Sequence, residues 1–149
     1  MTETSSMLVL ADTNVVVYAY EKSDPVKHVV ARELLQKLLT ERRLLLSVQT
    51  LNEFYVAVTR PTRAVRLDRQ EAIGILTSLS RVCPVAPLTR DATFLALDAV
   101  GEHGLSFWDA LIWAVAKENS VPVIYTEDFQ HGREIEGVRF ENPFVSNPA

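Results

Sequence analysis

Four acidic residues, Asp12, Glu53, Asp109 and Asp128, stand where carboxylates could do joint chemistry. Asp12 directly follows the apolar run Leu8–Ala11, and Asp128 closes VPVIYTED just past a strand-like run. Glu53, in TLNEF, and Asp109, in SFWDALIWA, each fall in the expected first turn of a helix. Singly, each has a plain structural use. Asp12 is a good N-cap, Thr50-x-x-Glu53 and Ser106-x-x-Asp109 have the spacing of a capping box, and Asp128 suits a turn. Together they are harder to explain in that way. Four carboxylates converging without a nearby lysine repel one another, and a hard divalent cation such as Mg²⁺ or Mn²⁺ is the common resolution, because it takes oxygen ligands. Zinc chemistry has no matching pattern. Cys83 is the single cysteine, and His28, His103 and His131 are scattered, with only His131 close in sequence to an acid of the set. No glycine-rich phosphate loop follows the first strand, and no G-x-S-x-G elbow is present.

These acids need elements that carry them to one place. Leu8–Ala11 is short, apolar and suited to a strand buried on both faces. Asp12 would end it and cap the helix containing Val15–Tyr20. Asp24 and Pro25 open a second helix with Val26, Val29, Val30, Leu34, Leu35 and Leu38 as its apolar stripe. Leu44–Val48 predicts a second strand and Thr50–Arg60 a helix, stopped by Pro61. Asp68 and Glu71 open a helix to Ser80 as a capping box. Arg81–Leu88 contains two prolines and allows only a short strand around Val82–Val85, expected near a sheet edge. Thr89–His103 is helical and ends at Gly104, Ser106–Asn119 is helical, and Val121–Tyr125 is a strand. Gly132 and Gly137 bracket a loop before a last strand at Val138–Phe140. Strands alternating with helices predict a mainly parallel central sheet with helices on both faces. In such sheets ligands gather outside the carboxyl ends of the strands, which is where all four acids fall.

The chain has 149 residues, enough for one domain over 1–149, with 1–7 and 145–149 expected as loose termini. Its 48% hydrophobic and 23% charged content is that of a globular protein. The lone cysteine excludes an intramolecular disulfide and points to a reducing, cytoplasmic setting. No apolar run approaches the ~20 residues that span a bilayer. Net charge is −4, so any nucleic-acid contact must rest on local basic edges. Arg60, Arg63, Arg66 and Arg69 recur every three residues and form one candidate edge, with Arg42–Arg43 as another. The alternative for such runs is a solvated connector.

Asp-Thr-Asn after the first strand, Asn-Glu at 52–53, Ser-Phe-Trp-Asp-Ala at 106–110 and Thr-Glu-Asp at 126–128 resemble the PIN-domain ribonucleases, and within them the VapC-type toxins of bacterial toxin–antitoxin pairs. The resemblance runs from Leu8 to about Phe144. It implies a PIN-like α/β domain, a Mg²⁺- or Mn²⁺-dependent endoribonuclease, a homodimer, and neutralisation by a small cognate antitoxin. Asp12, Glu53, Asp109 and Asp128 match the family's acidic quartet, with Asp12 and Asp109 at its most direct metal contacts. Asn14 and Thr126 match supporting polar positions. Glu127 beside Asp128 leaves open which of the two faces the site, and alternation along a strand end favours Asp128. Phe54, Tyr55, Phe107 and Trp108 flank the acids and are expected to form a groove for a partner helix carrying a basic side chain.

Two other kinds of protein would carry acids on such a fold. A non-catalytic RNA- or protein-binding module on the same fold would have lost an acid, and none is missing. A phosphoacceptor receiver domain would need paired acids after strand one and a late lysine at a strand end, whereas Lys117 lies mid-helix.

Overall fold

A computed structural model of the chain describes residues 7–63 and 66–145. The elements are β1 (Val9–Ala11), α1 (Thr13–Tyr20), α2 (Pro25–Thr40), β2 (Leu44–Ser47), α3 (Val48–Thr59), α4 (Arg69–Val82), β3 (Val85–Ala86), α5 (Arg90–His103), α6 (Phe107–Glu118), β4 (Val123–Tyr125), β5 (Glu134–Ile135) and β6 (Val138–Glu141). The sheet order is β3-β2-β1-β4-β6-β5, parallel throughout except for the β5–β6 hairpin. This is the α/β architecture expected from the sequence.

Alternation along the strands divides the core. Val9 and Ala11 of β1, with Leu44 and Leu46 of β2, join the cluster under α1 to α4. Leu10 and Leu45 face the other way, into the cluster built on α5 and α6. Strands buried on both sides must be apolar at nearly every position, which is why VLA and LLLS carry no charge. The chain leaves β1 toward β2 and β3 and later returns to add β4 on β1's other side. The crevice between β1 and β4 is therefore a topological switch point, the place where such sheets bind ligands.

Several boundaries follow their caps. Asp24 accepts the Lys27 amide with Pro25 at the first helical position. Asp68 and Glu71 close a reciprocal capping box. Gly104 ends α5 at φ 68°, a left-handed conformation that favours glycine. The helix after β2 departs from expectation. It begins at Val48, because Ser47 takes the cap and its Oγ accepts the Thr50 amide. Thr50 and Glu53 thus form no capping box, and Glu53 lies in the second turn. The α2 stripe is also rotated. Ala31, Leu35 and Leu38 are buried, whereas Val26 and Val29 are 75% and 52% exposed. The edge strand expected at Val82–Val85 is Val85–Ala86, since α4 continues through Val82. The chain end is held as far as Phe144, whose ring meets Tyr18 edge to face at 5.3 Å. Met7 accepts a bond from Arg43 Nε. The remaining residues of the expected loose ends, 1–6 and 146–149, lie outside the described residues.

Candidate active site

Asp12 follows β1 without a gap. Its amide donates to Tyr125 O at 2.9 Å, so the β1–β4 pairing runs on to the residue that caps α1. Oδ1 accepts the Thr13 amide (2.7 Å) and Oδ2 accepts the Thr126 hydroxyl (2.8 Å). A hydroxyl has one proton to give, and Thr126 gives it to Asp12 while accepting from the Asp128 amide (3.2 Å) and Asn14 Nδ2 (3.3 Å). Asn14 spans the same gap from the α1 side. Its Nδ2 donates to Asp128 Oδ2 (2.9 Å) and its Oδ1 accepts the Glu127 amide (3.3 Å). Glu53 Oε1 accepts the Thr13 hydroxyl at 2.7 Å, which ties α3 to α1. Asp109 occupies the first turn of α6, where its amide donates to Ser106 Oγ and its side chain lines the cleft.

All four acids line one cleft of about 840 Å³, together with Thr13, Asn14, Tyr18, Gln49, Arg60, Arg63 and Trp108. Among the described residues none of the four forms a salt bridge. The cleft thus holds four carboxylates that no described side chain pairs with, although Arg60 and Arg63 also line it. Asp12 registers this. Burial, with the charges of Glu53 and Asp128 adding to it, pushes its carboxyl from the ordinary 3.8 up to about 6 against the opposing bonds from Thr126 and Thr13. The quartet is open. Among the described residues, three carboxylate or imidazole donors come within 4.8 Å of one another only at Glu102, His103 and Glu136, away from this cleft. That group is tied by His103 Nε2 to Glu136 (3.0 Å), and Lys117 Nζ lies 3.9 Å from Glu136 Oε1.

The neighbouring acids of the 126–128 turn diverge. Asp128 lines the cleft, while Glu127 accepts the Tyr18 hydroxyl (2.8 Å) and pairs with Lys27 (2.7 Å). The Lys27 ammonium also sits 5.1 Å from the Tyr18 ring centroid and 5.6 Å from that of Phe144. This bundle anchors the turn through the Glu127 carboxylate, while Asn14 holds it through Asp128 and the Glu127 amide. His131, the histidine nearest in sequence to Asp128, accepts the Asn142 amide, which holds the loop leading to Phe144.

The four arginines differ in setting. Arg60 and Arg63 line the cleft. Arg63 is largely committed, since it pairs with the buried Glu21 and donates to Ala57 O. Arg66 and Arg69 are exposed, the latter at the start of α4. In the other basic pair, Arg43 is taken up by Met7 O and Glu41. The apolar wall is also different from the expected one. Phe54 is fully buried in the core and Tyr55 packs against it, whereas Val17, Val56, Leu88 and Trp108 line the cleft. Thr13, Tyr18 and Gln49 escaped the sequence reading. Thr13 sits inside the Asp-Thr-Asn motif, but only the fold brings it to Glu53, 40 residues on.

An α/β sheet with an acidic switch-point cleft is the plan of a PIN domain, and the PIN-domain family model matches residues 9–133; the chain belongs to this family. No curated protein matches the chain by sequence. Among solved structures, it is similar to the VapC20 toxin of Mycobacterium tuberculosis, a sarcin–ricin loop cleaving toxin, with 20% identity, a TM-score of 0.61, and 80% of this chain and 89% of that one covered. It is also similar to a chain of a toxin–antitoxin complex from Klebsiella pneumoniae (18% identity, TM-score 0.67, 91% and 97% covered). A third is a chain of VapBC2 from Rickettsia felis bound to a promoter DNA fragment (18%, 0.65, 91% and 98%). At these identities the likeness concerns the fold. Among the described residues no helix is long and apolar enough to cross a membrane.

Proposed function

We propose that the chain is a metal-dependent endoribonuclease, the toxin of a toxin–antitoxin pair, held in check by a small cognate antitoxin in the cytoplasm. The observation that carries this reading is the convergence of Asp12, Glu53, Asp109 and Asp128 on one cleft with no basic partner among the described residues. An all-oxygen donor set that no described side chain pairs with fits a hard divalent cation, Mg²⁺ or Mn²⁺, and its open spacing fits an ion that keeps several waters. Asp12 and Asp109 would hold the ion, with Glu53 and Asp128 completing the set. When bound, such a cation activates water and offsets charge on phosphoryl oxygens.

The chain's own residues supply geometry. Thr126 and Thr13 fix both oxygens of Asp12, Thr13 fixes Glu53, and Asn14 fixes Asp128. Glu53 would orient a water or accept its proton. Arg60, which lines the same cleft, would contact a neighbouring phosphate. The apolar wall of Val17, Val56, Leu88 and Trp108 beside the acids suits an antitoxin helix whose basic side chain reaches the carboxylates. Pairing of two toxin chains belongs to the same reading.

Expression of the chain alone, with cellular RNA ends mapped afterwards, tests the proposal. Growth arrest with discrete new RNA ends, relieved by co-expressing a small neighbouring gene, is expected. Unchanged growth and RNA ends contradict it.

A further inference from the structure

Asp109 is anchored differently from the other three acids. Hydroxyl or amide side chains from other elements hold Asp12, Glu53 and Asp128. Among the described residues no side chain bonds to the Asp109 carboxylate, so its place is set by the first turn of α6. That turn and Glu53 belong to different layers of packing. α3 sends Phe54 and Val58 into the cluster under α1 to α4, whereas α6 sends Leu111, Ile112 and Trp113 into the cluster on the other face of the sheet. Among the described residues one side-chain hydrogen bond joins the two helices, from Gln49 Nε2 to the Trp108 carbonyl. Gln49 stands one helical turn before Glu53 on the same side of α3, and both line the cleft. Trp108 directly precedes Asp109.

Fold stability does not account for a glutamine at this place. Gln49 is 6% exposed, and its Oε1 is buried without a hydrogen-bond partner among the described residues. A buried unpaired acceptor is costly. Turning the amide over gives no relief, because the reversed orientation sets two acceptors against each other. Nor does the Trp108 carbonyl need the bond, since it lies within α6, where the helical ladder supplies the Ile112 amide. The bond is long for N–H···O, at 3.4 Å, as bonds in such sites often are before a ligand tightens them.

Resting on the ribonuclease reading, we infer that Gln49 is a positioning residue of the carboxylate centre, which ties the first turn of α6 to α3 and so sets where Asp109 stands relative to Glu53. It acts through the Trp108 backbone and touches neither ion nor substrate. The unpaired Oε1 is the stability cost of that placement.

The test uses the full chain with Mn²⁺ alone as the probe, read by calorimetry beside the metal-free melting temperature. Gln49→Met keeps the length of the side chain and removes both polar atoms. Without metal it should melt at or slightly above the parent, and it should bind Mn²⁺ about 10- to 100-fold more weakly. In an Asp109→Asn background the same substitution should add no further loss of affinity, whereas in Asp128→Asn it should add its full effect. On RNA, kcat should fall with KM little changed, and excess Mn²⁺ should restore most of the cleavage. Parental Mn²⁺ affinity in Gln49→Met, or a full additional loss in the Asp109→Asn background, overturns the proposal. So do metal-free melting temperatures several degrees below the parent's in both Gln49→Met and Gln49→Leu, which would make the glutamine a packing residue. Weakened Mn²⁺ binding by Gln49→Met in a chain whose parent never cleaves RNA sinks the ribonuclease reading and leaves the positioning role standing. Metal-dependent cleavage by the parent with unchanged Mn²⁺ binding in Gln49→Met does the reverse.

Discussion

The Thr126 hydroxyl donates to Asp12 Oδ2 at 2.8 Å, binding the carboxyl end of β4 to that of β1 across 114 residues of sequence. The bond favours the ionised form of a carboxyl that burial otherwise drives up to about 6. Asp12 therefore works against its surroundings when charged, and a bound cation would relieve that cost.

Metal-free stability should depend on pH accordingly. The folded chain keeps a proton on Asp12 that the unfolded chain, near 3.8, has released, so stability falls as pH rises from about 4 through about 6. Melting curves should show this slope for the parent and its loss in Asp12→Asn. Thr126→Val removes the opposing bond and should move the acidic limb of the activity profile to higher pH. An unshifted profile in Thr126→Val, or an equal slope in Asp12→Asn, would contradict this account of the site.

Arg63 and Glu21 give a stability prediction free of catalysis. Glu21 has a fully buried side chain. Burial pushes its carboxyl up, but bonds from Ser23 and Arg63 and the guanidinium charge outweigh this and hold it below the usual range. Arg63→Ala strands that charge and should cost about 3–5 kcal/mol in denaturant unfolding. Arg66→Ala and Arg69→Ala, at exposed positions, should stay within about 0.5 kcal/mol. Similar small losses at all three sites would show that the Glu21 pairing is not structural.

Glu127 and Asp128 should separate cleanly. Glu127→Gln keeps acceptors for Tyr18 and weakens a partly exposed pair with Lys27, so it should cost no more than about 1 kcal/mol and retain most activity. Asp128→Asn should lower metal-dependent activity by at least about 10- to 100-fold while leaving the melting temperature nearly unchanged. The opposite ranking would show that the wrong carboxylate has been given to the site.

The outline of this fold was readable because local signals agreed with it. Short uncharged runs gave β1, β2 and β4, and the caps at Asp24, Asp68 and Gly104 bounded their helices. The misreadings arose where two local signals competed or where the decisive partner was remote. Ser47 and Thr50 are both good caps, and nothing local says that Ser47 wins and moves Glu53 into the second turn. Val26 and Val29 fit a helical stripe, yet α2 docks through Ala31, Leu35 and Leu38, since the docking face is chosen by α1 and the sheet. The three-residue rhythm of the arginines likewise does not show that Arg63 pairs with Glu21, 42 residues earlier. At the site, the acids were legible from their places at strand and helix ends. Of the groups that orient them, Asn14 and Thr126 were reached only through the family resemblance and Thr13 not at all, because each acts on a carboxylate brought near only by the crossover connections.

The most direct test of the carboxylate centre compares parent, Asp12→Asn and Glu53→Gln for RNA cleavage and for melting temperature, each with Mn²⁺ or with a chelator. Asn caps a helix as well as Asp, and Gln can still accept the Thr13 bond, so both variants should fold like the parent. Metal at a hundredfold excess over its dissociation constant should stabilise the parent by about 2.7 kcal/mol and the variants much less. Cleavage should be metal-dependent in the parent and lower by orders of magnitude in both variants. Near-parental, metal-dependent cleavage by Asp12→Asn would contradict the account.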